Sequence, residues 1–498
     1  MNKKDINLNY FFIGIAGTGM SAIAQYLKAA GHAVAGSDRQ FVSGVHNESR
    51  AALEAEGIIC FEQGAGGVTA DTDVVVVSTA IEDSVPEVQQ AKALAKPIIK
   101  RSALLAEIVT TKKTIAVAGT SGKSTTTAML YEILYTAGLQ PSVIGGAGLT
   151  RLINQGKIGN AFYGAGEWLI IEADESDGSI VQYHPEIGLL LNIDKDHQEM
   201  DELMNLFSTF KQHSKTFITN LTHPLSASLS AGSVFDFDCS ENRERACLPV
   251  GMGIGTREKG INTPKTTIDN NDNNDNNDNL TSSSKTILNQ SNFNQLGAKI
   301  SFQVNGQSFE INTPGRHSME NAMAAIAVAS SIGIDLATCS RALSNYEGIY
   351  RRHQVFGEKN GVILVDDFAH NPVKCARSME ACQPFSDKLI AWFQPHGYGP
   401  TRFLRNDFVE ELSKIVRPQD EIWMSEIYYA GGTAVKDISA EDLINDLKAR
   451  GVNAYFVSDR NQLLDAMRPH FTASTTLLLM GARDPSLGDF AKQFWGQL

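Results

Sequence analysis

Residues 114–125 read Thr-Ile-Ala-Val-Ala-Gly-Thr-Ser-Gly-Lys-Ser-Thr. The apolar run Thr114 to Ala118 predicts a buried strand, and the spacing of Ala128, Met129, Ile133 and Leu134 predicts a helix after it. Between the two, Gly119, Thr120, Ser121, Gly122, Lys123, Ser124 and Thr125 make a phosphate-binding loop, because successive backbone N–H groups and a helix N-terminus cradle an anion there. Lys123 would reach β- and γ-phosphates and Ser124 a Mg²⁺ ion. Val117 stands where the common loop pattern has glycine, so this is a variant form.

Two more strands are expected at Trp168 to Ile171 and Ile187 to Ile193, each delivering polar residues just past its C-terminal end. In open parallel sheets that edge is where ligands bind. The first delivers Glu172, Asp174, Glu175, Ser176 and Asp177, the second His197. Hard oxygen ligands suit Mg²⁺, so Ser124, Glu172 and His197 form a candidate metal set, and Lys123, Glu172 and His197 are candidate catalytic residues. Read without the phosphate loop, the acidic run is an ordinary solvated loop.

Towards the N-terminus lie a strand from Tyr10 to Ile15, a helix near Met20 to Ala30, a strand ending at Ser37 and Asp38, and the run Val74 to Val77 followed by Ser78. Gly17, Gly19 and Ala22 fit G-x-G-x-x-A, with Thr18 and Met20 between them and Asp38 ending the next strand. This dinucleotide fingerprint fits an NAD enzyme and a nucleotide-linked substrate equally, since the same physics binds either diphosphate. Towards the C-terminus, a helix from Ser318 to Ile332 closes the second unit. A third unit starts near Arg351, with strands at Gly361 to Val365, Leu389 to Phe393, Glu421 to Met424 and Thr476 to Met480. Arg352 could stabilise a transferring phosphoryl group, and Asp367 could orient a cation or a ribose.

The fold class expected is α/β with three domains: Rossmann-like at 1–109, a P-loop ATPase-like central domain at 110–348, and Rossmann-like at 349–498. A length of 498 residues agrees with about three domains at roughly 150 residues each. The Asn-rich tract around 270–279 is too poor in apolar residues to order itself, and about 260–295 is expected to be a disordered surface insertion. Fifty-six acidic residues against 43 basic ones, a net charge of −13, argue against a nucleic-acid partner. Six scattered cysteines without a C-x-x-C pair suggest reduced thiols, and no signal or membrane segment is recognisable, so no membrane partner and a cytoplasmic location are expected. Oligomeric state is left open.

Together these groups resemble the Mur ligase family. The motifs are G-T-x-G-K-[ST]-T-T at Gly119 to Thr126, E-A-D-E-S-D at Glu172 to Asp177, N-I-x-x-D-H at Asn192 to His197, G-R-H-x-x-x-N-A at Gly315 to Ala322, and D-D-[YF]-x-H-x-P at Asp366 to Pro372. The resemblance runs almost end to end, excepting the Asn-rich insertion. It implies an ATP- and Mg²⁺-dependent ligase of peptidoglycan precursor synthesis. That ligase would phosphorylate the carboxylate of UDP-N-acetylmuramate and join it to an amino acid, L-alanine foremost, or to a peptide.

It implies, further, that the first domain holds the UDP moiety through Gly17, Thr18, Gly19, Met20, Ser37, Asp38 and Ser78. His317 and Asn321 would lie on the adenine side, and Arg352, Asp367 and His370 on the third-domain face of the ATP site. Glu175, Ser176, His396 and Arg402 would meet substrate. One departure bears on the amine: where R-Y-x-R-T-R follows Phe393-Gln394-Pro395-His396 in the family, this chain has Gly397, Tyr398, Gly399, Pro400, Thr401 and Arg402, two arginines short. A different amine, a peptide-adding ligase, a UDP-sugar sensor without catalysis and an NAD-dependent oxidoreductase are the competing expectations.

Overall fold

The computed structural model describes residues 7–79, 81–176, 178–194, 200–240, 288–429 and 435–498. Four sheets carry the chain. The first contains β1 (Asn9–Ile13), β2 (Ala33–Asp38), β3 (Ile59–Glu62), β4 (Val74–Val77) and β5 (Ile98–Lys100), all parallel in the order β3-β2-β1-β4-β5. Phe11, Phe12 and Ile13 are buried, as a central strand covered by helices on both faces requires. The order reverses between β1 and β4, whose ends Ile13 and Val77 are in register, so the loop Gly14 to Gly19 and Ser78 flank the same crevice.

The second sheet, β6 (Lys113–Ala118), β7 (Ser142–Ile144), β8 (Ala161–Phe162), β9 (Trp168–Glu172), β10 (Ile187–Leu190) and β11 (Thr216–Thr219), runs β11-β10-β6-β9-β7-β8 with β8 alone antiparallel. The carboxyl ends of β10, β6 and β9 are therefore neighbours, which brings the phosphate loop, Glu172 and the Leu191-Asn192 segment together. A smaller sheet follows: β12 (Phe237–Asp238) beside β13 (Leu288–Leu296), then β14 (Lys299–Val304) and β15 (Gln307–Ile311). It shares a core with the helices Arg316–Ser331 and Leu336–Ser344 and with one face of the second sheet.

Residues 288–295, expected in the disordered insertion, instead form most of β13. That strand registers Phe237 against Leu288 and Ile300 against Gln295, so pairing supplies what its polar sequence lacks. The rest of the Asn-rich tract lies outside the described residues.

The fourth sheet holds β16 (Gln354–Lys359), β17 (Val362–Asp367), β18 (Lys388–Phe393), β19 (Glu421–Met424), β20 (Ala454–Phe456) and β21 (Thr475–Met480). Its order is β16-β17-β21-β18-β19-β20, and only β16 is antiparallel. The last strand thus inserts between β17 and β18, a doubly wound variant different from the first sheet.

Apolar packing divides these layers unevenly. The helix Thr18–Ala29 buries Met20, Ala22, Ile23, Ala24, Tyr26 and Leu27 in one continuous cluster that also contains Ala116, Ala118, Leu169, Ile171 and Leu190 of the second sheet. The fourth sheet has two clusters of its own, and neither includes a residue before Val362. Among the described residues no helix is long and apolar enough to cross a membrane, and the five described cysteines are buried and unpaired.

Candidate active site

A cleft of 340 Å³ lies between the second and fourth sheets. Its floor is the phosphate loop. The helix Lys123–Thr136 starts at Gly122, which sits at φ +88° and whose absent Cβ would fall 2.3 Å from Asn321 Oδ1. Only glycine fits both conditions. Asn192 braces the loop from the end of β10: its Oδ1 accepts from Thr120 Oγ1 at 2.9 Å and Ser121 N at 2.8 Å, and its Nδ2 donates to Ser121 O at 3.0 Å. The sequence leads one to expect β10 to run on to Ile193, but it ends at Leu190, and this early exit lets Asn192 reach sideways.

Lys123 Nζ donates to Gly119 O at 2.7 Å and pairs with Glu175 Oε2 at 2.9 Å; Asp174 lies 3.9 Å away. The carboxylate of Glu175 thus stands at the ammonium group where an incoming phosphate would bind. Glu172, at the end of β9, accepts from Ser124 Oγ at 3.0 Å and from Gly146 N at 2.7 Å. Burial pushes the Glu172 carboxyl above the ordinary range, against the pull of Gly146, Ser124, Lys123 and Arg352. A Cβ on Gly145 or Gly146 would lie 3.1 or 3.2 Å from its oxygens, so that face is reserved for small groups.

One buried carboxylate beside one hydroxyl at a phosphate loop fits Mg²⁺, which takes one or two carboxylates and completes its shell from phosphate oxygens. No cluster of three His, Cys, Asp or Glu side chains able to hold a metal exists among the described residues. His197 lies outside the described residues.

The opposite wall comes from the third domain and the helix Arg316–Ser331. Arg352, Asp367, His353, Lys374, Arg377 and Ser378 face His317, Glu320 and Asn321. Arg352 stacks over Phe368 with its guanidinium 5.1 Å from the ring centre. Burial pushes the Asp367 carboxyl up, yet His353 and Arg352 hold it below the ordinary carboxylate value. His353 N donates to Asp367 Oδ1 at 3.0 Å. His317 packs half-buried against His353, ring centres 5.2 Å apart, and desolvation followed by the His353 charge pushes it down to about 3. Arg351, the other half of the arginine pair, is buried and structural: it clamps Asp366 at 2.9 and 3.3 Å and donates to Gly481 O at 2.8 Å.

Not every expected residue meets this cleft. His370 and His396 lie together farther out, ring centres 5.9 Å apart, and Arg402 is ion-paired with Asp437 on the surface. In the first domain, Asp38 spends its oxygens on the backbone: Ala16 N at 2.9 Å and Gln40 N at 3.0 Å. These two contacts shape the glycine loop. Among the described residues, Ser37 Oγ is buried without a hydrogen-bond partner at the same crevice. Arg101, which no sequence motif indicated, would touch a Cβ on Gly19 at 3.0 Å and so lines the loop of Gly17, Thr18 and Gly19. Lys374, Arg377, His353 and Glu320 were also missed, because their relevance depends on which helix faces packs across the cleft.

Residues 9–113 match the Mur ligase family catalytic domain, 117–243 the Mur ligase middle domain, and 351–483 the Mur ligase glutamate ligase domain. A UDP-N-acetylmuramate–L-alanine ligase of Bdellovibrio bacteriovorus is 33% identical over 452 residues, 90% of each chain. Another, from Acidithiobacillus ferrooxidans, is 33% identical over 491 residues, covering 98% of this chain and 97% of its own. In fold, the chain resembles the UDP-N-acetylmuramate-alanine ligase of Thermotoga maritima, with TM-score 0.74 at 22% identity over 99% of both chains. It also resembles a murein peptide ligase of Psychrobacter arcticus, with TM-score 0.62 at 19% identity over 98% of both. With three family domains matched in order and relatives of this identity spanning nearly its whole length, the chain belongs to the Mur ligase family.

Proposed function

We propose that the chain couples ATP cleavage to formation of an amide between UDP-N-acetylmuramate and L-alanine. The observation that carries this reading is the meeting of Lys123, Ser124 and Glu172 with Arg352 and Asp367 across one cleft, in a chain whose relatives bear that activity in their names. The γ-phosphoryl group passes to a carboxylate oxygen of the muramate, giving ADP and an acyl phosphate. The amino group then attacks the acyl carbon, phosphate departs and the nitrogen gives up a proton. Lys123 and Arg352 neutralise the phosphoryl oxygens, and the loop N–H groups hold ATP in line. Ser124 and Glu172 are the groups that would hold Mg²⁺, which would offset the negative charge of the phosphates. The nucleotide diphosphate fits at the N-terminus of the helix Thr18–Ala29, where Gly17 and Gly19 permit close approach.

The test is phosphate release from ATP and Mg²⁺ with UDP-N-acetylmuramate, adding L-alanine, other amino acids and short peptides one at a time. L-Alanine is expected to drive turnover, and Lys123→Ala to lower it by about 10³-fold with the fold intact. Turnover with a peptide alone, or unchanged turnover in Lys123→Ala, would reject the reading. A different amine is the second reading, favoured by Gly397 and Pro400 and by Arg402 being tied to Asp437.

A further inference from the structure

The amine half of the site lacks an obvious anchor, since Gly397 and Pro400 bring no charge and Arg402 faces Asp437. The sheet supplies one from elsewhere. Asp367, Phe393 and Met480 end the adjacent strands β17, β18 and β21 at one level of register. Gly481 N donates to Asp367 O at 3.3 Å and Gln394 N to Met480 O at 3.0 Å, so the three loops leave the sheet stitched side by side. Three residues beyond each strand end stand His370, His396 and Arg483.

The carboxylates nearby are occupied. Asp366 is clamped by Arg351, and Asp367 accepts from His353 N. Asp484 pairs with Arg460 at 2.5 Å and accepts from Ser486 N and Oγ. Arg483 itself is exposed and makes no hydrogen bond or ion pair among the described residues. Among the described residues, His396 Nδ1 is buried and finds no hydrogen-bond partner. Burial pushes His396 down to about 4, and the charges of His370 and Arg483 act in the same direction. A fixed cation, an unsatisfied imidazole nitrogen and no free acid are what a carboxylate ligand needs.

We infer that Arg483, with His396 beside it, holds the α-carboxylate of the amino-acid substrate, replacing from the β21 loop the charge that the β18 loop does not carry. Arg483 is then a specificity-determining residue, and the amine is a free amino acid rather than an amide or an uncharged amine. This inference rests on the ligase reading above.

The experiment measures phosphate release by the full chain, Arg483→Ala and Arg483→Lys, with the amino acid that drives turnover, L-alanine first, and with its carboxamide. Arg483→Ala is expected to raise KM for the amino acid on the order of 30-fold, the loss of one charge-assisted contact, and to leave the carboxamide's kcat/KM unchanged. KM for ATP and for UDP-N-acetylmuramate should stay within about twofold, and Arg483→Lys should recover part of the loss. An unaltered preference for acid over amide in an active Arg483→Ala, or an equal loss on both amines, would overturn the inference and leave the ligase reading standing. Absence of turnover by the unaltered chain with every amino acid would remove both.

Discussion

The two junctions between the domains are built from opposite materials. Where the first domain meets the second, the helix Thr18–Ala29 and the central sheet share one apolar cluster, and the polar groups inside it are paired. Gln25 Nε2 donates to Asn160 Oδ1 at 2.8 Å, and Asn160 Nδ2 donates to Thr18 O at 2.9 Å and to Ser21 Oγ at 3.1 Å. Tyr26 meets Tyr163 edge to face at 5.1 Å. Where the second domain meets the third, the walls are Lys123, Glu172, Asp174 and Glu320 against Arg352, His353, Lys374 and Arg377. Separating an apolar seam costs about 25 cal/mol for each Å² returned to water, whereas charged walls are well solvated apart and paired together. The apolar seam therefore couples the first two domains more tightly than the charged walls couple the second and the third.

That contrast is breakable in both directions. The largest effect is expected from Arg352→Ala at the polar junction: kcat should fall by about 10²- to 10³-fold, roughly 3 to 4 kcal/mol of transition-state stabilisation, with the thermal midpoint moved by less than about 2 °C. A large loss of stability instead would make this junction structural too. Asn160→Ala should do the reverse, because it leaves one Nε2 hydrogen of Gln25 without its partner in a buried seam, Ser21 O keeping the other. Denaturant titration should register about 2 to 3 kcal/mol of lost stability, while kcat of the folded protein stays within about twofold.

The smallest effect concerns protons. His317, faced by His353, Asp367 and Arg377, has a native value near 3 against the ordinary 6.5. Between those values the unfolded chain binds a proton that the native chain refuses, so stability from this group falls as pH drops below about 6.5. By pH 5 the loss should be about 2 kcal/mol, and the stability gap between the native chain and His317→Gln should narrow by that amount over the same interval. Parallel pH profiles would mean that water already reaches this ring.

The phosphate loop and the strands around it were legible because local signals agree there: an apolar run, a glycine turn and an amphipathic helix in one short stretch. Val74 to Val77 and Glu421 to Met424 matched to the residue for the same reason. Strand β13 was not legible. Asn289, Gln290, Ser291, Asn292, Asn294 and Gln295 have little strand propensity, and pairing with Lys299–Val304 overrides it. Of the residues that line the cleft, those in glycine- or aspartate-bearing turns stand out in the sequence, whereas Lys374 and Arg377 do not, since each is an unremarkable polar residue until another domain is placed against it.

The pairing of Phe237 and Asp238 with Leu288 and Asn289 has an evolutionary corollary. It brings the two strands on either side of the long connection together at one spot on the small sheet. In general, doubling the number of residues between two held ends costs only about 0.6 kcal/mol of closure entropy. Mutation can lengthen or shorten the tract with almost no tax on folding, so an Asn- and Asp-rich repeat can expand there by drift alone, and its length is a poor guide to kinship or to function.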